Sequence, residues 1–374
     1  MLASTPPTPG MLAAGESAAV AIGRLDAVLD RHPLRLVWQF RQRIAAASAA
    51  VALDGLGIGE DRLFSVLAGA LRGHFRDRRA ERHALAFVEA LTRLSTTERL
   101  VGEAFAPSSS TPGTALGQAD GGAAADENLE RITEHGQLVL EACAASPAAT
   151  PLLKAADVVW QMRCQSDLRP GVLHYALPVW WHRQGLTSTP LPGLAAFPNR
   201  NEMGAGRWQA VFLQGLARAA RAGQQVLADL GINWQRWQRL IGARRSDSQL
   251  FDVAVMALAA PSLTPAAVAA LLPPPRHGAK GGQPRYAVAG QLLDELARLR
   301  LIEEITGRRS WRRYVVCDVS ASQPPAMERG TGQPLAAVMA SPPVSTEKLD
   351  EVLAHLDAVT ARSAALVTRY GRGL

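Results

Sequence analysis

The sequence predicts a mainly all-α protein carrying one small β-hairpin, the wing of a C-terminal winged helix-turn-helix. Three observations carry this. Apolar residues recur at helical period along most of the chain, as in Leu36, Phe40 and Ile44, or Leu63, Val66, Leu67 and Ala70. Two short strand signals, 302–306 and 311–316, flank a turn at Gly307 and Arg308. A helix with Leu292, Leu293, Leu296 and Leu299 on its apolar stripe runs directly into the first of them. Helix followed by hairpin is how a winged helix-turn-helix ends.

The elements follow in order. Residues 1–18 are rich in Pro, Ser, Thr and Gly and predict a disordered N-terminus. An N-terminal helical region spans 19–105, with helices at 20–30, 34–53, 60–73 and 78–105. Residues 106–126 (PSSSTPGTALGQADGGAAADE) have the composition of a flexible linker. A helical body covers 127–245, with helices at 127–146, 149–164, 171–185 and 206–229 and a Trp/Arg-rich piece at 234–241. Pro190, Pro192 and Pro198 punctuate an irregular stretch within it. The winged helix-turn-helix occupies 246–318, a second linker 319–343, and an amphipathic helix 344–374 with Ser345 as its N-cap.

Inside the winged helix, the first helix (249–259) carries Leu250, Val253, Val255, Met256 and Leu258, and Pro261 ends it. Thr264 caps the second, with Pro265 in its first turn. The third, 286–300, is the recognition helix, whose N-terminal end enters a major groove. Arg285, Tyr286 and Gln291 stand there with side chains able to reach base edges or phosphates. Arg308, Arg309, Arg312 and Arg313 on the hairpin suit phosphate or minor-groove contact. Residues 273–284 (PPPRHGAKGGQP) replace the usual short turn between the second and third helices. With Arg276 and Lys280, this insertion reads either as an arm that tracks phosphates or as a surface loop. The expected partner is double-stranded DNA and the expected role transcriptional regulation. The alternative for the same domain is a protein-contact module of antitoxin type.

Composition agrees without deciding. Net charge is +7 and only three of 40 basic residues are lysines. That balance favours polyanionic partners where it is local, although codon usage in a GC-rich genome accounts for the arginine bias equally well. Cys143, Cys164 and Cys317 are odd in number and widely spaced, which fits a reducing cytoplasm. No signal peptide is evident at the N-terminus, and no apolar run nears the ~20 residues of a membrane span. His174 and His182 lack a third ligand at suitable spacing, so no metal is expected. No P-loop, GxGxxG or Ser/His/Asp arrangement presents itself, and no cofactor is expected. The 234–239 stretch, WQRWQR, reads either as a platform for single-stranded bases or as a helix joining two domains. Leu349, Val352, Leu356, Val359, Leu366 and Tyr370 form an a/d seam broken by Ser363. It serves either a homodimer or packing back on the same chain.

Four segments also resemble Fic-domain proteins. LPVWWHRQGL (177–186) is similar to the helix after their active-site loop, and the stretch from Arg207, RWQAVFLQGLARAARAGQQVL, to a long downstream helix. The ending LLDELARLRLIEEITGRRSWRRYVV looks like the winged helix at the C-terminus of many of them. Ser48 to Gly55 (SAAVALDG) resembles their inhibitory helix, with Asp54 where Glu is usual. Over roughly 20–318 the chain is similar to a bacterial, often plasmid-associated family of degenerate Fic-domain-like proteins with a C-terminal helix-turn-helix. Active members need a His-Pro-Phe-x-Asp/Glu-Gly-Asn-Gly-Arg loop, in which His is the general base. The corresponding segment here is RCQSDLRPG, 163–171, with Arg163 in the histidine's place. A guanidinium is no base near neutral pH. Asp167 matches, and Arg169 and Gly171 either face a phosphate or merely form a turn. The resemblance therefore implies a scaffold more than an enzyme, with divergent nucleotidyl transfer as the alternative.

Overall fold

The computed structural model describes residues 7–68, 78–96, 121–165, 169–195, 197–198, 203–241, 249–272, 285–306 and 312–317. Among these the chain forms eleven α-helices and one two-stranded antiparallel hairpin. The all-α expectation with a small hairpin holds. None of the described helices is long and apolar enough to cross a membrane.

Two helices make the frame. Helix α1 (Pro9–Asp30) lies along α8 (Ala205–Ile241) in the most extensive helix pairing among the described residues. Ala14, Ala18, Ala21, Ile22 and Leu25 line the buried face of α1 and allow a close approach. Gly223 on α8 receives Trp38, whose indole Nε1 donates to the Gly223 carbonyl at 3.1 Å. A Cβ at Gly223 would stand 3.1 Å from Trp38 Cζ2 and 3.2 Å from Leu25 Cδ2. The N-terminal disorder predicted for 1–18 is therefore corrected over 7–18, and residues 1–6 lie outside the described residues. Thr8 caps α1, accepting from the Met11 amide, and Met11 is buried. Proline composition misled because Pro9 sits in the first turn, where it costs no hydrogen bond.

Helices α2 (Arg35–Leu53), α3 (Glu60–Leu67) and α4 (Arg78–Thr96) pack beside this pair, followed by α5 (Gly121–Ala145), α6 (Pro151–Gln165) and α7 (Leu173–Arg183). Helix α5 starts inside the stretch expected to be a linker, 106–126, of which 106–120 lies outside the described residues. Helix α8 runs unbroken for 37 residues. Its Trp234 and Trp237 are 2% and 1% exposed, so neither offers a face to a base. Trp234 packs edge-on to Phe251 at 5.4 Å.

Helices α9 (Leu250–Ala259), α10 (Pro265–Leu271) and α11 (Arg285–Arg298) precede strands β1 (Ile302–Glu304) and β2 (Tyr314–Val316). The register pairs Ile302 with Val316 and Glu304 with Tyr314. One apolar core runs from α1 into these elements. Arg41 on α2 reaches across to donate to the Leu258 carbonyl at 3.0 Å. Helix α11 ends earlier than the predicted 300. Arg300 adopts φ 56°, Arg300 N donates to Ala297 O, and Leu301 N donates to Leu296 O. This closing turn favours glycine. Arg300→Gly is expected to stabilise the protein by about 0.5–1 kcal/mol in thermal unfolding.

Candidate nucleic-acid interface and the loop beside it

The winged helix assembles around a third strand segment that the sequence did not reveal. Leu263, between α9 and α10, pairs antiparallel with Tyr314. Leu263 N donates to Tyr314 O, and Tyr314 N to Leu263 O, both at 2.8 Å. The segment just before α10 is thus an edge to the hairpin, and Thr264 then caps α10 by accepting from Ala267 N at 3.1 Å. Helix α11 buries Ala289, Leu293 and Leu296 against this base. Its outward side carries exposed Arg285, Tyr286 and Gln291. Tyr286 is 49% exposed, a large ring left in water at the helix start. Arg285 also closes α10, donating to the Leu272 carbonyl at 2.8 Å.

The hairpin arginines divide. Arg308 and Arg309, like Arg276 and Lys280 of the insertion, lie outside the described residues. Arg312 and Arg313 have partners within the chain. Arg312 Nη1 contacts both Asp294 oxygens, at 2.7 and 2.9 Å, tying the wing to α11. Buried Tyr314 donates its hydroxyl to Asp294 Oδ1 at 2.7 Å. Burial and that carboxylate push the phenol up to about 12. Hydrogen bonds to Tyr314 and Asp294 hold Arg312 more firmly protonated. Arg313 pairs with Asp61 of α3 and donates through Nε to Ser262 Oγ at 2.8 Å. Ser262 in turn donates to Asp61 Oδ1 at 2.7 Å. These two arginines anchor the wing. The four together looked equivalent in sequence because their acidic partners, Asp61 and Asp294, lie far from them along the chain.

The end of α2 meets the turn ahead of α7. Ser48 and Asp54 belong to the end of α2, where Ser48 Oγ donates to Ile58 O. Gly55, at φ +77°, closes the helix, with Leu56 N donating to Val51 O. The Asp54 side chain is 2% exposed. Its Oδ1 accepts from Gly171 N at 2.8 Å, and its Oδ2 lies 2.7 Å from His83 Nε2 of α4. Gly171 sits in a 3-10 turn, Pro170–Val172, leading into α7. A Cβ there would stand 2.5 Å from the Ala50 carbonyl and 2.8 Å from Asp54 Oδ2, so only glycine fits. The amide that could have held a phosphate holds Asp54 instead. Arg163 lies over the Trp208 ring, 6.0 Å from its centroid, as a packing residue. Asp167 lies outside the described residues. The sequence reading missed His83, although Arg79, Arg82 and His83 recur at i, i+3 and i+4 on α4.

His174 is 3% exposed beneath this turn, edge-on to Phe197 at 5.1 Å. His182 is elsewhere, with Nδ1 3.0 Å from the Thr187 carbonyl oxygen. The described residues contain no group of three His, Cys, Asp or Glu placed to hold a metal ion. No protein-family model matches the chain, and no curated protein matches it.

Proposed function

We propose that this protein binds double-stranded DNA through its winged helix and acts as a cytoplasmic transcriptional regulator. The observation that carries the reading is the Leu263–Tyr314 pairing. It gives the order helix, strand, helix, helix, hairpin, in which the third helix stands free on one side. Tyr286 and Gln291 at the exposed start of α11 are then the groove-facing residues. Arg308 and Arg309 at the wing tip grip phosphates, while Arg312 and Arg313 hold the wing in place through Asp294 and Asp61. The helical body serves as a degenerate Fic-like scaffold. The Asp54–Gly171 bond is consistent with that scaffold, since it joins the 48–55 segment that resembles the inhibitory helix to the turn standing where the active-site loop would end. The amphipathic helix expected at 344–374, like the linker expected at 319–343, lies outside the described residues; its a/d seam is assigned to homodimerisation, which pairs two recognition helices on successive half-sites.

The test is a titration with duplexes from the chain's own upstream region and with an unrelated duplex, at several salt concentrations. Gln291→Ala is expected to weaken binding to the specific duplex by roughly tenfold or more, at about 1–3 kcal/mol per base contact. The Arg308→Ala/Arg309→Ala pair is expected to weaken both duplexes alike and to lower the salt slope by about one unit for each phosphate no longer neutralised. Wild-type protein that binds neither duplex would overturn the reading.

A further inference from the structure

A basic cleft opens beside Asp54, lined by none of the residues of α11. It consists of two adjoining cavities, of about 350 and 260 Å³. Both are lined by His83, Asn128, Arg131 and Arg169. The outer one adds Arg79 and Arg82 from α4, so four guanidiniums surround it. The inner one adds Phe87, Ile132 and Val172, an apolar wall. Three carboxylates also line the cleft, and two are engaged. Asp54 holds Gly171 and His83, and Glu127 pairs with Arg131 four residues on. Glu134, exposed on α5, lines the inner cavity as well. Among the described residues no carboxylate pairs with Arg79 or Arg169.

His83 also lines both cavities and is 4% exposed. Its Nε2 is engaged by Asp54, and its Nδ1 is sealed from solvent without a hydrogen-bond partner. The Gly171 amide is already occupied by Asp54, so an anion here rests on the arginines and not on the turn.

We infer that this cleft binds a small organic phosphate. Its phosphate sits among Arg79, Arg82, Arg131 and Arg169, and its organic body lies against Phe87, Ile132 and Val172. Arginine forks match phosphate oxygens two at a time. The larger cavity, of about 350 Å³, lies at the lower end of ordinary small-molecule sites, which suits a small ligand. The site stands independently of DNA binding.

The experiment is calorimetric titration of the full chain with phenyl phosphate and, separately, with inorganic phosphate. One saturable site per chain is expected for phenyl phosphate, weaker at high salt. Inorganic phosphate is expected to bind more weakly, lacking a body for the apolar wall. Arg169→Gln and Arg79→Gln are each expected to weaken phenyl phosphate by roughly tenfold or more. Arg298→Gln, on exposed α11, is expected to change nothing. Arg79 is exposed at the start of α4. Its variant therefore keeps the test decisive should Arg169→Gln not fold, and matching circular-dichroism melts verify this. Absence of binding, or binding untouched by Arg79→Gln, overturns the site. Equal affinity for the two probes overturns the organic-phosphate assignment.

Discussion

Asp54→Ala is expected to destabilise the protein by about 3–5 kcal/mol, enough to unfold a large fraction of it under mild denaturant. The carboxylate is 2% exposed and joins three elements. It terminates α2, accepts from Gly171 ahead of α7, and pairs with His83 on α4. Removing it leaves the Gly171 N–H and one nitrogen of His83 buried without partners. Each such orphan costs about 1–3 kcal/mol, and the small cavity adds to this. Asp54→Asn keeps one carbonyl oxygen for the Gly171 amide, so about half the loss is expected. Urea unfolding of the two variants measures this. An Asp54→Ala cost below about 1 kcal/mol would mean that water replaces the carboxylate and that the three elements are held by apolar packing alone.

The same contact shows what was legible in the sequence and what was not. Ser48 to Gly55 was picked out by resemblance, and 163–171 only by its position ahead of the 177–186 segment, since it lacks the loop motif. Their junction was not, because a hydrogen bond between residues 117 positions apart leaves no local pattern. The winged helix was legible for a different reason. Apolar period, the Thr264–Pro265 start and the strand signals are all local signatures, and each appears in the structure. Its third strand segment was hidden, since it reduces to one residue pair at Leu263. The charge assignments fared least well. Arginine density suggested a phosphate grip, yet Arg312 and Arg313 close ion pairs with Asp294 and Asp61. Charge in sequence records how many guanidiniums there are. Only the fold decides which of them meet a carboxylate. The Trp234 and Trp237 stripe taught the same lesson. Alternating aromatics and arginines are also what a long helix needs when one side faces core and the other water.

His174 gives the protein a marked loss of stability in mild acid. Its ring is 3% exposed, and Phe197 stands edge-on at 5.1 Å. Burial lowers its pKa from the ordinary 6.5 to about 4, with the Asp54 charge opposing only part of that shift. The sign follows from proton binding. In the unfolded chain the ring takes a proton near pH 6.5, while in the folded chain it stays neutral until about pH 4. Between these values the unfolded state binds more protons, so stability falls as the pH falls. Above pH 6.5 neither state is protonated, and below about 4 both are, so this residue contributes no slope outside that window. At roughly 1.4 kcal/mol per unit the total is about 3 kcal/mol. The remaining ionisable groups are common to wild type and a His174→Leu variant. The difference between wild type and variant isolates the ring. Urea midpoints from about pH 7 to about pH 4 are expected to fall more steeply for wild type, with the two curves converging or crossing at the acid end. Parallel curves would show that the ring is protonated in the folded state, and that the turn at Gly171 opens to water far more readily than its packing implies.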